Sequence, residues 1–108
     1  MRRCRREVRV LQRALNLALR FRDSNIPYFL DTLGWAYFKL DMPDDALTWL
    51  KKAVDGAPDA AILRYHLALA QLKTGNTAAA KQNLEMVVKS GDRSFPDMDD
   101  AKAKLQAL

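Results

Sequence analysis

Cysteine is almost missing from this chain. Cys4 stands alone and cannot close an internal disulfide, so the fold has to hold without one. Histidine is equally scarce: His66 has neither a second histidine nor a cysteine cluster with which to build a metal site. A nucleophile–base pairing of Cys4 with His66 has nothing in the sequence to support it. Four scattered glycines cannot form a phosphate-cradling loop. The cluster Asp97, Asp99 and Asp100 lacks the glycine and distal glutamate of a calcium loop, and reads instead as charge at a helix start. No catalytic residue, metal or cofactor is therefore expected, and the chain is not read as an enzyme. No apolar run approaches the ~20 residues needed to cross a bilayer. With 108 residues, 49% of them apolar, the chain has enough material for one core and one domain.

Lysine is missing from the stretch Met1 to Arg22, which holds eight arginines and one glutamate, a net charge of +7. Residues 23–108 hold ten basic and twelve acidic side chains, so the body is mildly acidic. The overall charge of +5 is thus the property of one segment. Apolar spacing predicts an amphipathic helix from about Arg5 to Arg22. Val8, Leu11, Leu15 and Leu19 form one row, and Val10, Ala14, Leu17 and Phe21 an adjoining one, which makes the apolar face broad. Arg2, Arg6, Arg9, Arg13 and Arg20 fall on the other side. The favoured reading of this basic face is the solvated side of a structural helix. Contact with an anionic membrane is the minor alternative. Nucleic acid is disfavoured, because the acidic body opposes phosphate. A secretory signal is disfavoured by Arg9 and Arg13 inside the apolar stretch, and an organellar leader by apolar periodicity that a removable peptide does not need.

What the chain does have is a repeat. Leu33-Gly34 returns as Leu67-Ala68, Lys39 as Lys73, Ala46 as Ala80 and Leu50 as Leu84, always at the same offset. A period of about 34 residues marks stacked helical hairpins, none of which can bury its apolar face alone. Helices are expected near 27–40, 43–56, 59–73 and 77–90, with turns at Asp41-Met42-Pro43 and Thr74-Gly75-Asn76. A last helix is expected from Pro96 to the end, with the stripe Met98, Ala101, Leu105 and Leu108 inward and Lys102, Lys104 and Gln106 outward. It would cap the stack.

These residues resemble the tetratricopeptide repeat family. Leu33, Gly34 and Tyr37 sit where the family's first helix carries leucine, a small residue and an aromatic. Ala46, Leu50 and Ala53 take the small, large and small places of its second helix, and Pro58 the closing proline. Leu67, Ala68, Gly75, Ala80, Leu84 and Val87 mark a second unit. Arg64 and Gln71 replace apolar and aromatic residues there, the closing proline is missing, and Asp41-Met42-Pro43 replaces a glycine-bearing turn. The departures are expected to weaken the second unit. The resemblance implies an all-α solenoid in one domain. It would comprise a basic amphipathic helix (1–26), two units (27–60 and 61–94) and a capping helix (95–108).

The resemblance also implies a non-catalytic scaffold that binds a protein or peptide on a concave face lined by each unit's first helix. The groove positions fall at Tyr28, Asp31, Trp35, Phe38 and Lys39, then at Ile62, Tyr65, Leu69, Leu72 and Lys73. Family members that clamp a chaperone's C-terminal carboxylate use lysine and asparagine at positions held here by Asp31, Trp35, Tyr65 and Leu69. Such a clamp is not expected, since Asp31 would repel a carboxylate. Leu30-Asp31-Thr32-Leu33-Gly34-Trp35, Arg64-Tyr65-His66-Leu67-Ala68, Lys73-Thr74-Gly75 and Phe95-Pro96 are similar to the C-terminal end of bacterial tetratricopeptide-repeat proteins of the PEP-CTERM/exosortase system. That narrower likeness implies the tail of a long array linked to exopolysaccharide and surface export, set in the cell envelope rather than, by default, the cytoplasm. The first helix is expected either to continue such an array or to form a homo-oligomer through its uncovered end.

Overall fold

The computed structural model describes residues 5–21, 25–92 and 94–108. Among them the chain forms α1 (Arg5–Ala18), a 3-10 turn (Leu19–Phe21), α2 (Pro27–Lys39), α3 (Pro43–Gly56), α4 (Ala61–Lys73), α5 (Thr77–Ser90) and α6 (Met98–Gln106), with no strand. Proline opens α2 and α3 at the first helical position, where its missing N–H costs nothing. Asp44 and Asp45 lie in the first turn of α3, where the helix dipole favours negative charge.

Both hairpins close with the same turn, one period apart. The Met42 N–H donates to the Tyr37 carbonyl at 3.0 Å, and the Asn76 N–H to the Gln71 carbonyl at 2.8 Å. This wrap around the helix end needs one residue in the left-handed region. Gly75 supplies it with φ 84°, and Asp41 with φ 60°. Aspartate tolerates that region better than most side chains. The unusual Asp41-Met42-Pro43 sequence therefore makes the same turn as its glycine-bearing counterpart.

Two apolar clusters hold the stack. The first joins α2, α3 and α4 through Leu30, Ala46, Leu50, Ala53, Leu63 and Leu67. The second joins α4, α5 and α6 through Tyr65, Ala68, Leu84, Val87, Phe95 and Ala101. The small residues at Gly34 and Ala68 mark where the two helices of a hairpin cross. A Cβ added to Gly34 would lie 2.7 Å from Leu50 Cγ and 3.1 Å from its backbone nitrogen. Gly34→Ala is therefore expected to cost about 1–2 kcal/mol, the overpacking outweighing alanine's better helix propensity. A urea titration reads it, and an unchanged midpoint would mean that Leu50 has room to retreat.

The second unit's irregular residues are coupled. Arg64, Gln71 and Asn83 stand one period after Leu30, Tyr37 and Trp49. In the first unit those three belong to one apolar cluster. In the second, Arg64 Nη1 donates to Asn83 Oδ1 at 2.8 Å, and Asn83 Nδ2 donates to Gln71 Oε1 at 2.8 Å. Arg64 Nε also donates to the Pro58 carbonyl at 2.5 Å. An apolar trio has been exchanged as a set for a hydrogen-bonded one. Two of the departures in the second unit, Arg64 and Gln71, are thus joined through Asn83.

The sixth helix packs mainly on α5, and it repeats against α4 one contact that α4 makes with α2. Asp31 meets His66, and Tyr65 meets Asp100, the same pair of positions one repeat apart. Ala101 is fully buried, like Leu33 and Leu67 in the same register. Lys102, in the register of Gly34 and Ala68, is exposed. Two expectations need correction here. Leu108 is 41% exposed, because α6 stops at Gln106 and leaves it beyond the stripe. On α1, Val8, Leu15 and Leu19 are half-buried, but Val10 and Leu17 remain 59% and 57% exposed. One apolar row is enough to pack against α2, so these members of the predicted second row stay in solvent.

Candidate functional site

The first helices α2, α4 and α6 present neighbouring faces, and most of the predicted groove residues lie on them. They separate into two neighbourhoods. Toward the starts of these helices, Tyr28 and Ile62 line an open cleft of about 400 Å³ with Asp59, Asp92, Phe95 and Pro96. Tyr28 is the most exposed of the predicted apolar residues. Further along, Trp35, Phe38, Leu69 and Leu72 are half-buried and Lys39 and Lys73 exposed. These six repeat in register: Trp35 with Leu69, Phe38 with Leu72, Lys39 with Lys73.

Trp35 is the centre of a stack. Its ring lies nearly parallel to Phe38 at 4.8 Å between centroids and to His66 at 4.0 Å. The Lys39 ammonium sits 4.9 Å from the same indole, close enough for a cation–π contact. The ring is thus already engaged within the chain, and offers a partner its remaining edge rather than a bare face.

Two of the predicted groove residues are not at the surface. Asp31 is buried, its carboxylate oxygens 2.8 and 3.0 Å from His66 Nδ1. The hydrogen bond leaves the carboxylate's negative charge in place, and no lysine–asparagine set occupies the clamp positions. Tyr65 is buried because α6 folds over it. Its ring meets Phe95 edge-on at 5.2 Å, and its hydroxyl donates to Asp100.

Sequence reasoning misses His66 and Phe95 as partners of the groove residues. The available signal is the repeat itself, since each contacts a residue about one period away. Among the described residues no group of histidine, cysteine and carboxylate side chains is placed to hold a metal. Of the basic face, Arg9, Arg13 and Arg20 are exposed, whereas Arg2 and the Arg6 side chain lie outside the described residues, as does Cys4.

Burial, and then the bond to Asp100, push the Tyr65 phenol well above its ordinary range. Hydrogen bonds from Lys104 and then Tyr65 hold the Asp100 carboxyl below its own. The signs differ. The Tyr65 contribution is complete below the ordinary tyrosine value of about 10 and is lost as pH rises through the folded value. The Asp100 contribution is present above the ordinary carboxylate value and is lost as pH falls through the lowered one. Tyr65→Phe is expected to cost about 1 kcal/mol at neutral pH and to flatten the alkaline limb of stability above about pH 10. Urea melts across that window check it; an unaltered limb would place the alkaline loss elsewhere.

A stack of helical hairpins with a half-exposed apolar row along its first helices defines a repeat scaffold of the protein-interaction class. Comparison with protein families agrees: the model described as tetratricopeptide repeat matches residues 32–105. The chain belongs to the tetratricopeptide repeat family, whose repeats are typically non-catalytic interaction modules. No curated protein matches the chain.

Proposed function

We propose that the face formed by α2 and α4 binds an extended or helical peptide segment of a partner protein. The observation that carries this reading is the repeated trio of the two first helices. Trp35, Phe38 and Lys39 recur as Leu69, Leu72 and Lys73, with the apolar members half-buried and the lysines exposed. Such a surface gives a partner side chain area to cover and a cationic rim that orients its carbonyl or carboxylate groups. The test is a displayed library of random peptides selected on the wild-type chain. Leu69→Asp is expected to weaken the selected peptides at least about tenfold, the scale of ~1.4 kcal/mol. Its circular dichroism should stay unchanged. Retained affinity would move the binding surface elsewhere.

A second reading rests on α1. Arg9, Arg13 and Arg20 are exposed beside Val10 and Leu17, the combination of an interfacial helix. Binding to anionic vesicles or to nucleic acid through that helix should fall steeply with salt, whereas groove binding should persist. The likeness to exosortase-associated arrays directs the search for the natural partner to proteins of exopolysaccharide and surface export.

A further inference from the structure

We propose that the cleft at the starts of α2 and α4 seats a basic side chain of the bound segment, an arginine or lysine whose charge lies between Asp59 and Asp92 and whose stem lies on Tyr28; this rests on the groove reading above. The cleft belongs to the same surface as the repeated trio. Tyr28, Trp35 and Lys39 stand at i, i+7 and i+11 on α2, and Ile62, Leu69 and Lys73 do so on α4. At about 3.6 residues per turn each set forms one stripe. Pro96 follows Ile62 by the same period that separates Ile62 from Tyr28. The cleft of about 400 Å³ is thus walled by one position of three successive units.

The two ends of these stripes carry opposite charge. Lys39 and Lys73 close one end. At the other, Asp59 and Asp92 are the charged groups among the described residues of the cleft. Asp59 is exposed and makes no hydrogen bond or ion pair with the described residues. It does not serve the start of α4 either, since that helix has no side-chain cap. Asp92 Oδ1 accepts from the Ser94 N–H at 3.0 Å and from the Ser94 hydroxyl. Those bonds hold the carboxylate in place without neutralising it. Arg64, the one arginine of α4, is turned away to the Pro58 carbonyl and Asn83. Tyr28 is 56% exposed and offers a ring to a cation or its methylene stem. An acidic occupant would meet two like charges, and an apolar one would cover carboxylates without pairing them.

The displayed library that tests the groove also tests its cleft. Peptides selected on the wild-type chain should share a basic residue. Replacing it by citrulline or norleucine, close in shape and uncharged, should weaken binding about fivefold, the joint scale of an exposed ion pair and a cation–π contact. Asp59→Asn/Asp92→Asn keeps the shape and the acceptor that Ser94 uses. It should cost the charged peptide about the same factor and leave the neutral peptide unaffected. A nitroxide beside the basic residue should broaden the Ile62 methyl signals ahead of those of Leu72; the reverse order overturns the proposal. Selected peptides with no basic residue in common, or a double variant that treats charged and neutral peptides alike, with Leu69→Asp still disruptive, overturn it and leave the groove standing. Binding indifferent to Leu69→Asp, or a library that yields no binder, overturns the groove and this inference with it.

Discussion

Leu50→Ala is expected to lower the unfolding free energy by about 2–5 kcal/mol, a large share of the roughly 5–15 kcal/mol typical of a domain. Leu50 is fully buried and seated over Gly34, where the helices of the first hairpin cross. It also belongs to the cluster that carries Leu63 and Leu67 of α4. One truncation therefore opens a cavity in the first unit and loosens its grip on the second. Repeat arrays distribute stability between units and the interfaces that join them, so the damage should be uneven. Hydrogen exchange should rise first in α2 and α3 and later in α5. A loss below about 1 kcal/mol would mean that the hairpin can collapse around the missing atoms.

The second large effect concerns Arg64, Gln71 and Asn83. Asn83 bridges the other two, so Asn83→Ala would strand the buried Gln71 side-chain carbonyl and leave Arg64 Nη1 without its Asn83 partner. The expected cost is about 2–4 kcal/mol, since unpaired buried groups keep their full desolvation penalty. Exchanging all three at once removes that penalty. The variant Arg64→Leu/Gln71→Tyr/Asn83→Trp installs the first unit's own residues in the second, and should fall within about 1 kcal/mol of the wild type. Chemical denaturation of the single and triple variants decides the matter. If the triple variant is as unstable as the single one, the polar set does something that the apolar set cannot replace.

The architecture was legible because it is written in local periodicity. Leu33, Ala46 and Leu50 return in register, and the caps Pro27, Pro43, Gly75 and Gly91 punctuate the helices. The polar trio was not legible in the same way. Each member, taken singly, departs from the apolar residue expected at its place, and only their spatial convergence shows the compensation. The candidate site was legible in part. The family resemblance assigned Trp35, Phe38, Leu69 and Leu72 to one face. It could not show that α6 folds over Tyr65, or that His66 bridges Asp31 and Trp35. Those contacts join residues a full repeat apart, where side-chain direction and helix packing decide the outcome rather than spacing.

The exposed Lys102 has a practical reach beyond stability. Wherever a second helix nestles against the first in this chain, the crossing point is Gly34 or Ala68. A four-carbon cationic arm at the same place would hold an added helix off and leave its charge desolvated beneath it. An engineer lengthening this scaffold from the α6 side would therefore begin by exchanging Lys102 for glycine or alanine, and only then graft the next helix.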